Sequence, residues 1–237
     1  MTSSGDDLQR MYAHRFDESD RERESAFWDV FFAEFLSRRV GRPGTVLDVA
    51  AGSCGFINRV EAPQRYALDL NPDVDGFAAS GVQVLHRSAT DTGLADSSVD
   101  LVFSSNFFEH LPGPDVLLEV LAESRRVLVP GGRLMVLMPN LAAVGGKYFD
   151  YLDHRLPLTD RSLREAVGLS GFRVAELIPR TIPYARNHAA TVGDRPSRTG
   201  PTADTSRFRL ALRAYLRTPL AWRVLGGQMF LSATCEK

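Results

Sequence analysis

Asp69 closes the apolar run YALDL (66–70), 17 positions after Gly52 of the small-residue tract Ala51-Gly52-Ser53-Cys54-Gly55. A carboxylate can accept from both hydroxyls of a ribose, and nucleotide-binding βαβ units set an acid about 20 residues beyond their glycine turn for that purpose. Its competing role is to cap Asn71-Pro72. His110, in SSNFFEHL (104–111), has an unperturbed pKa that suits a general base near neutrality; Glu-His-Leu serves as well to orient a helix start. A third group is packed into 148–154: Tyr148, Phe149, Asp150, Tyr151, Asp153 and His154. Tyr148 and Tyr151 are candidate substrate contacts lining a pocket, and His154 is a second catalytic candidate. Core packing of the aromatics is the equal alternative. Asp153 and His154 also suit a metal, but no third ligand stands at recognisable spacing, so no metal is expected.

These residues need elements to carry them. TVLDVA (45–50) is a short β-branched run, followed by the tight turn and a helical start at Phe56-Ile57-Asn58. YALDL, VQVLH (82–86), DLVFSS (100–105), RLMVLMP (133–139), FRVAELI (172–178) and MFLSATCE (229–236) read as further strands. Between them, apolar positions 116, 117, 120 and 121 mark one helix, and Thr159-Asp160 opens another over 159–170. Strand, small-residue turn and helix in regular alternation predict a mostly parallel sheet with right-handed crossovers. Residues 8–40 read as helical, with Phe27, Phe31, Phe32, Phe35 and Leu36 at three- and four-residue spacing. Residues 207–217 resume a helix, Phe208, Leu212 and Tyr215 on one face and Arg209, Arg213 and Arg217 on the next. The stretch 185–206, rich in Gly, Pro, Ser and Thr, reads as a loop.

With 237 residues, 44% hydrophobic, 24% charged and a net charge of −1, the chain suits one domain with appendages. The balance argues against a global nucleic-acid or membrane field. The polar N-terminus is no secretory signal, and no apolar run reaches the roughly 18 residues needed to span a bilayer. Cys54 and Cys235 lack metal-ligand spacing and read as reduced thiols in a cytoplasmic protein. Residues 155–223 hold thirteen arginines and five acids. A basic surface of that kind suits a phosphate-bearing or otherwise acidic substrate, or a membrane face; solvated helix faces are the plainer reading.

The ordered segments VLDVAAGSCGF, YALDLNPD, SVDLVFSSNFFEHL, VLVPGGRLMVLMPN and MFLSATCEK resemble the class I (Rossmann-like) methyltransferases that use S-adenosylmethionine (SAM). The likeness is to the type-11-like branch acting on small molecules. It covers about residues 43–180 and the last strand. The resemblance implies an α/β fold, a Rossmann-like three-layer sandwich whose seven-stranded, mostly parallel sheet ends in an antiparallel strand. It implies that Asp48 receives the cofactor's ammonium, directly or through water. Ala50, Gly52 and Cys54 then fill the usual small positions, Asp69 and Leu70 sit at the ribose, Ser88, Ala89 and Thr90 at the adenine, and Ser105 and Asn106 beside the methionine portion. Ala50 and Cys54 replace usual glycines; alanine fits if its φ is negative. The family's usual adenine-binding acid is replaced by Ser88, unless a short slip brings Asp91 into play.

The implied reaction moves a methyl group from SAM to a hydroxyl or amine of a small molecule, with S-adenosylhomocysteine as product. Positioning supplies much of the rate because the sulfonium already carries its leaving group. The acceptor suits a phosphorylated or sugar-containing metabolite of specialised metabolism. Residues 1–40 would form a helical cap on a SAM-binding domain over 41–237, with 141–165 and 185–225 as substrate-side or mobile insertions and Tyr12 and Arg15 as further substrate contacts. The expected partner is the small-molecule substrate, with no nucleic acid and no membrane span, in a monomer or homodimer. One rival is a SAM-binding protein without methyl transfer, a regulator or cyclase. The other is an NAD-dependent oxidoreductase, which would need glycine at Ala50.

Overall fold

The structure, a computed structural model, describes residues 18–183 and 205–237. Seven strands form one sheet in the order β3-β2-β1-β4-β5-β7-β6. They span Thr45–Val49 (β1), Gln64–Leu68 (β2), Val82–Leu85 (β3), Val99–Ser105 (β4), Leu128–Pro139 (β5), Phe172–Ile178 (β6) and Gln228–Cys235 (β7). β1 pairs in parallel with β2 and β4, and β7 runs antiparallel between β5 and β6. This is the expected Rossmann-like sheet with its antiparallel last strand.

The central strands bury both faces, which is why they read as continuous apolar runs. Successive residues of β5 alternate sides. Leu134, Val136 and Met138 join Leu47, Val49 and Val102 on one face. Met135 and Leu137 join Val46, Leu101, Phe103 and Phe230 on the other. The first face is covered by α2 (Pro114–Val127), through Leu117, Val120 and Leu121, and by α3 (Asp160–Leu169), through Leu163 and Val167. Thr159 starts α3 with a capping box shared with Ser162.

The second face is covered by α1 (Glu18–Phe31), which runs through a π-helical turn (Phe32–Leu36) to Val40, and by α4 (Thr205–Leu216). Phe31 stacks on Phe35 at 5.0 Å, and Phe35 meets Phe230 edge-on at 5.2 Å. A short helix, α5 (Pro219–Leu225), follows α4. No helix among the described residues is long and apolar enough to cross a membrane.

Three expectations are corrected. The helix start at Phe56-Ile57-Asn58 is a single 3-10 turn, Ile57–Arg59. The chain must be extended at Val60 to enter β2, and the Asn58 side chain is spent on Phe77 O and Ala79 N. β2 ends at Leu68 rather than Leu70, because the Asp69 carboxylate turns the chain by accepting from Asn71 N. The arginine stripe of α4 is a helix-to-helix clamp, not a surface awaiting a phosphate. Arg209 pairs with Asp29 at 2.6 Å and Arg217 with Glu34 at 2.9 Å, while Arg213 lies 3.8 Å from Glu34. Tyr12, Arg15 and nearly all of 185–206 lie outside the described residues.

Candidate active site

The turn after β1 is built on left-handed backbone. Ala50, Gly52 and Cys54 have φ of 57°, 51° and 57°. The condition under which alanine fits without strain, a negative φ, is therefore not met at Ala50: Ala51 N reaches across to Leu68 O and Cys54 N folds back to Ala51 O. A side chain in this region costs about 1–2 kcal/mol per residue, so the chain carries strain here that glycine would avoid. The turn is also closed from above. Asp69 takes a bond from Gly52 N on one carboxylate oxygen and from Asn71 N on the other, both at 2.8 Å. Each oxygen keeps further lone-pair capacity, so Asp69 locks the turn to the second strand and still has acceptors for a ligand. Burial raises its pKa, against the pull of the backbone N–H groups of Asn71, Gly52 and Leu70.

Asp48, expected to receive the cofactor's ammonium directly or through water, lies beneath the turn at the end of β1. It is 3% exposed and accepts from the Ile57 backbone; burial first, and then the charge of Asp69, raise its pKa well above the carboxylate range. The Cys54 thiol is pushed up to about 12 by burial and by both acids, which makes it inert as a nucleophile. The turn thus holds two neighbouring carboxyl groups whose ionised forms are disfavoured by burial.

Along the same edge of the sheet, Leu70 exposes an apolar side chain beside Asp69. The Ser88 hydroxyl is occupied within its own turn, 2.8 Å from Thr90 Oγ1, and Asp91 N returns to Ser88 O. Ser88 therefore shapes the loop, and Ala89 and Thr90 are its half-buried members. Asp91 turns away, 3.8 Å from Arg87. Beyond β4, Asn106 is exposed at φ 50° and bonds Ser105 through its side chain. A concavity of about 740 Å³ lies at the opposite edge, beside Gly44 and Pro63, and holds none of these residues.

Helix α1 covers the turn, which was not legible from the sequence. Glu24 accepts from Ser53 Oγ at 2.6 Å, Asp29 pairs with Arg59, and the Trp28 indole lies against Gly55 so closely that a Cβ there would overlap Cδ1 and Nε1.

At the end of β4 the catalytic candidates meet. His110 and His154 have ring centroids 5.0 Å apart. His110 Nδ1 faces the Asp153 carboxylate at 3.2 Å. Burial alone would lower the His110 pKa, but the bond to Asp153 and the Glu109 charge outweigh it and raise it. Glu109, which the sequence did not single out, is buried at 1% exposure with neither carboxylate oxygen hydrogen-bonded. Its pKa is pushed up to about 7, chiefly by burial. The segment after β5 is pinned here because Arg155 N and Leu156 N both donate to Glu109 O. Tyr148 is corrected from pocket lining to core: it is fully buried and its hydroxyl donates to Leu156 O. Tyr151 stays half-exposed, 4.9 Å from the His154 ring.

Comparison with known proteins converges on one reading. Residues 47–136 match the family model described as a methyltransferase domain. An uncharacterized methyltransferase of Mycobacterium bovis is 34% identical over 116 residues, 46% of this chain and 43% of the relative. A probable methyltransferase, ltbC, of Aspergillus luteorubrus is 29% identical over 120 residues, 43% of this chain and 42% of the relative. The chain thus spans less than half the length of these curated relatives. The protein bound to the Haloferax volcanii Trm112 methyltransferase activator is 21% identical, covers 99% of this chain and 98% of its own, and superposes with a TM-score of 0.66. The strand order and these matches agree: residues 47–136 match a methyltransferase domain, and the sheet that holds them is Rossmann-like.

Proposed function

We propose that this chain binds SAM at the turn after β1 and transfers its methyl group to a hydroxyl or amine of a small molecule. One observation carries the choice of cofactor: buried Asp48 and half-buried Asp69 stand at the same turn as Cys54, with Asp69 tied to Gly52 N. Such a site favours a cationic ligand over a pyrophosphate. SAM carries an ammonium and a sulfonium, whereas NAD would bring two phosphates to the same place. Asp69 would take the ribose hydroxyls, Leu70 would pack against the adenosine, and Ala89, Thr90, Ser105 and Asn106 would line the rest.

The acceptor side is the end of β4, where His110 and His154 stand beside the segment carrying Tyr151. Alignment against the sulfonium supplies the main rate effect. A phosphate on the acceptor is not part of this reading, since Arg209 and Arg217 of the α4 stripe pair with Asp29 and Glu34. A cap over 1–40, of which only 18–40 lie within the described residues, on a cofactor domain over 41–237 belongs to the proposal, supported by Trp28 on Gly55. So does a cytoplasmic setting, supported by two unbridged, buried cysteines.

The test has two parts. Calorimetry should show binding of SAM and S-adenosylhomocysteine and none of NAD. Incubation with methyl-labelled SAM and a panel of small hydroxyl and amine compounds should then give a labelled product. Binding without label transfer to any acceptor would favour a regulator or cyclase, and NAD binding would overturn the reading.

A further inference from the structure

We propose that Glu109, His110 and His154 form a binding site for a divalent transition-metal ion, of the two-imidazole, one-carboxylate type. Ion binding stands apart from the methyl-transfer reading; only the use of the ion on an acceptor rests on it.

One donor atom from each of the three residues lies within 4.8 Å of the others. Bonds of about 2.0–2.2 Å to a shared ion bring donors to roughly 3–4 Å of one another. Side-chain rotation at the cluster therefore suffices, with the backbone already fixed. That backbone is over-determined: Glu109 and His110 belong to one 3-10 turn, and the strand of chain leading from His154 is tied to Glu109 O at 2.8 and 3.0 Å.

Two further observations point to a cation. Glu109 is almost fully buried, with both carboxylate oxygens lacking a hydrogen-bond partner. A buried, unsatisfied carboxylate costs several kcal/mol unless a proton or a cation neutralises it. The imidazoles are also oriented as ligands. His154 Nδ1 donates to Tyr148 O at 2.7 Å, which puts its lone pair on Nε2. His110 Nδ1 lies 3.2 Å from the Asp153 carboxylate and its backbone O, which directs its lone pair to Nε2 as well. Metal-bound histidines are held in this way, with a carboxylate or carbonyl behind the ring.

Two nitrogen donors and one oxygen favour zinc, iron, cobalt or nickel over magnesium or calcium. Three protein ligands leave positions for water or an acceptor oxygen, whose proton the ion would acidify. The site lies just past the carboxyl end of β4, the strand that pairs with β1, so an acceptor held there would approach the cofactor edge.

The test uses the purified full chain, stripped with a chelator. Zinc is titrated in competition with a chromophoric chelator, and cobalt is added to read its visible absorption. One ion should bind per chain. Glu109→Gln and His154→Gln should weaken binding on the order of 100-fold, and Asp153→Asn, a positioning residue, about 10–100-fold. His86→Gln, at an exposed histidine elsewhere, should change nothing. Thermal unfolding of each variant without metal confirms that it folds. SAM calorimetry on the same variants separates the two readings, because loss of zinc with SAM retained concerns this site alone. Absence of one tight ion in wild type overturns the proposal, as does equal affinity in folded Glu109→Gln and His154→Gln, which would leave Glu109 neutralised by a proton.

Discussion

Gly55 offers the sharpest test of how α1 is held on the cofactor turn. Its backbone does not need the left-handed region; what it needs is the absence of a side chain, because the Trp28 indole fills that space. Trp28 is buried and meets Phe31 and Phe103 edge-on at 6.1 and 6.3 Å, so the ring cannot step aside cheaply. Gly55→Ala should therefore cost about 2–3 kcal/mol, the upper part of the overpacking range. In a chain of this size that is a fall in Tm of roughly 5–10 °C. If the indole is expelled, the loss of its burial, on the order of 4 kcal/mol, sets a ceiling. Thermal unfolding followed by circular dichroism and tryptophan emission measures both. The double variant Gly55→Ala/Trp28→Ala should show that the added methyl costs little once the indole is gone, a coupling of about 1–3 kcal/mol. A Gly55→Ala protein with unchanged Tm and emission would refute the packing of α1 on the turn.

Other outcomes follow from the same geometry. Burial pushes the Glu123 carboxyl up, but Arg126 and Thr92 together hold it down to about 2. Its stabilisation is complete above its ordinary value of 4.5 and is lost as the pH falls toward about 2. The urea midpoints of wild type and Glu123→Gln should accordingly converge across that window and stay apart at pH 7. Asp29→Ala removes the acid shared by Arg59 and Arg209; at this partly exposed position it should cost about 1 kcal/mol, a difference that shrinks in high salt in a denaturation series. Tyr148→Phe should lower stability by about 0.5–1.5 kcal/mol through the lost bond to Leu156 O, while SAM affinity measured by calorimetry stays unchanged.

The sheet was legible because both its periodicity and its turns are local. β6 and β7 fall within one residue of their apolar runs, while β5 starts five residues before its run, at Leu128, and Thr159 announces α3 through a cap whose partner is three residues away. The boundaries that shifted did so where a side chain competes with the ladder, as Asp69 does at the end of β2. The candidate site was legible only in part. His110 and His154 were visible as chemistry, but Glu109 completes their cluster only because Arg155 and Leu156, 46 and 47 positions later, fold back on its carbonyl. The arginines of α4 were misread for the same reason, since Asp29 and Glu34 lie some 180 residues upstream. Ala50 shows the opposite failure: its residue type argued for ordinary backbone, and hydrogen bonds to a neighbouring strand forced the strained one.

Ribose recognition by Asp69 is the point on which the account stands. Calorimetric titration of Asp69→Asn and Asp69→Ala with S-adenosylhomocysteine tests it, beside circular dichroism to confirm folding. Loss of two charge-assisted bonds should weaken binding by about 3 kcal/mol, more than a hundredfold, in the folded alanine variant, with Asn intermediate. Affinity in Asp69→Ala equal to wild type would contradict it.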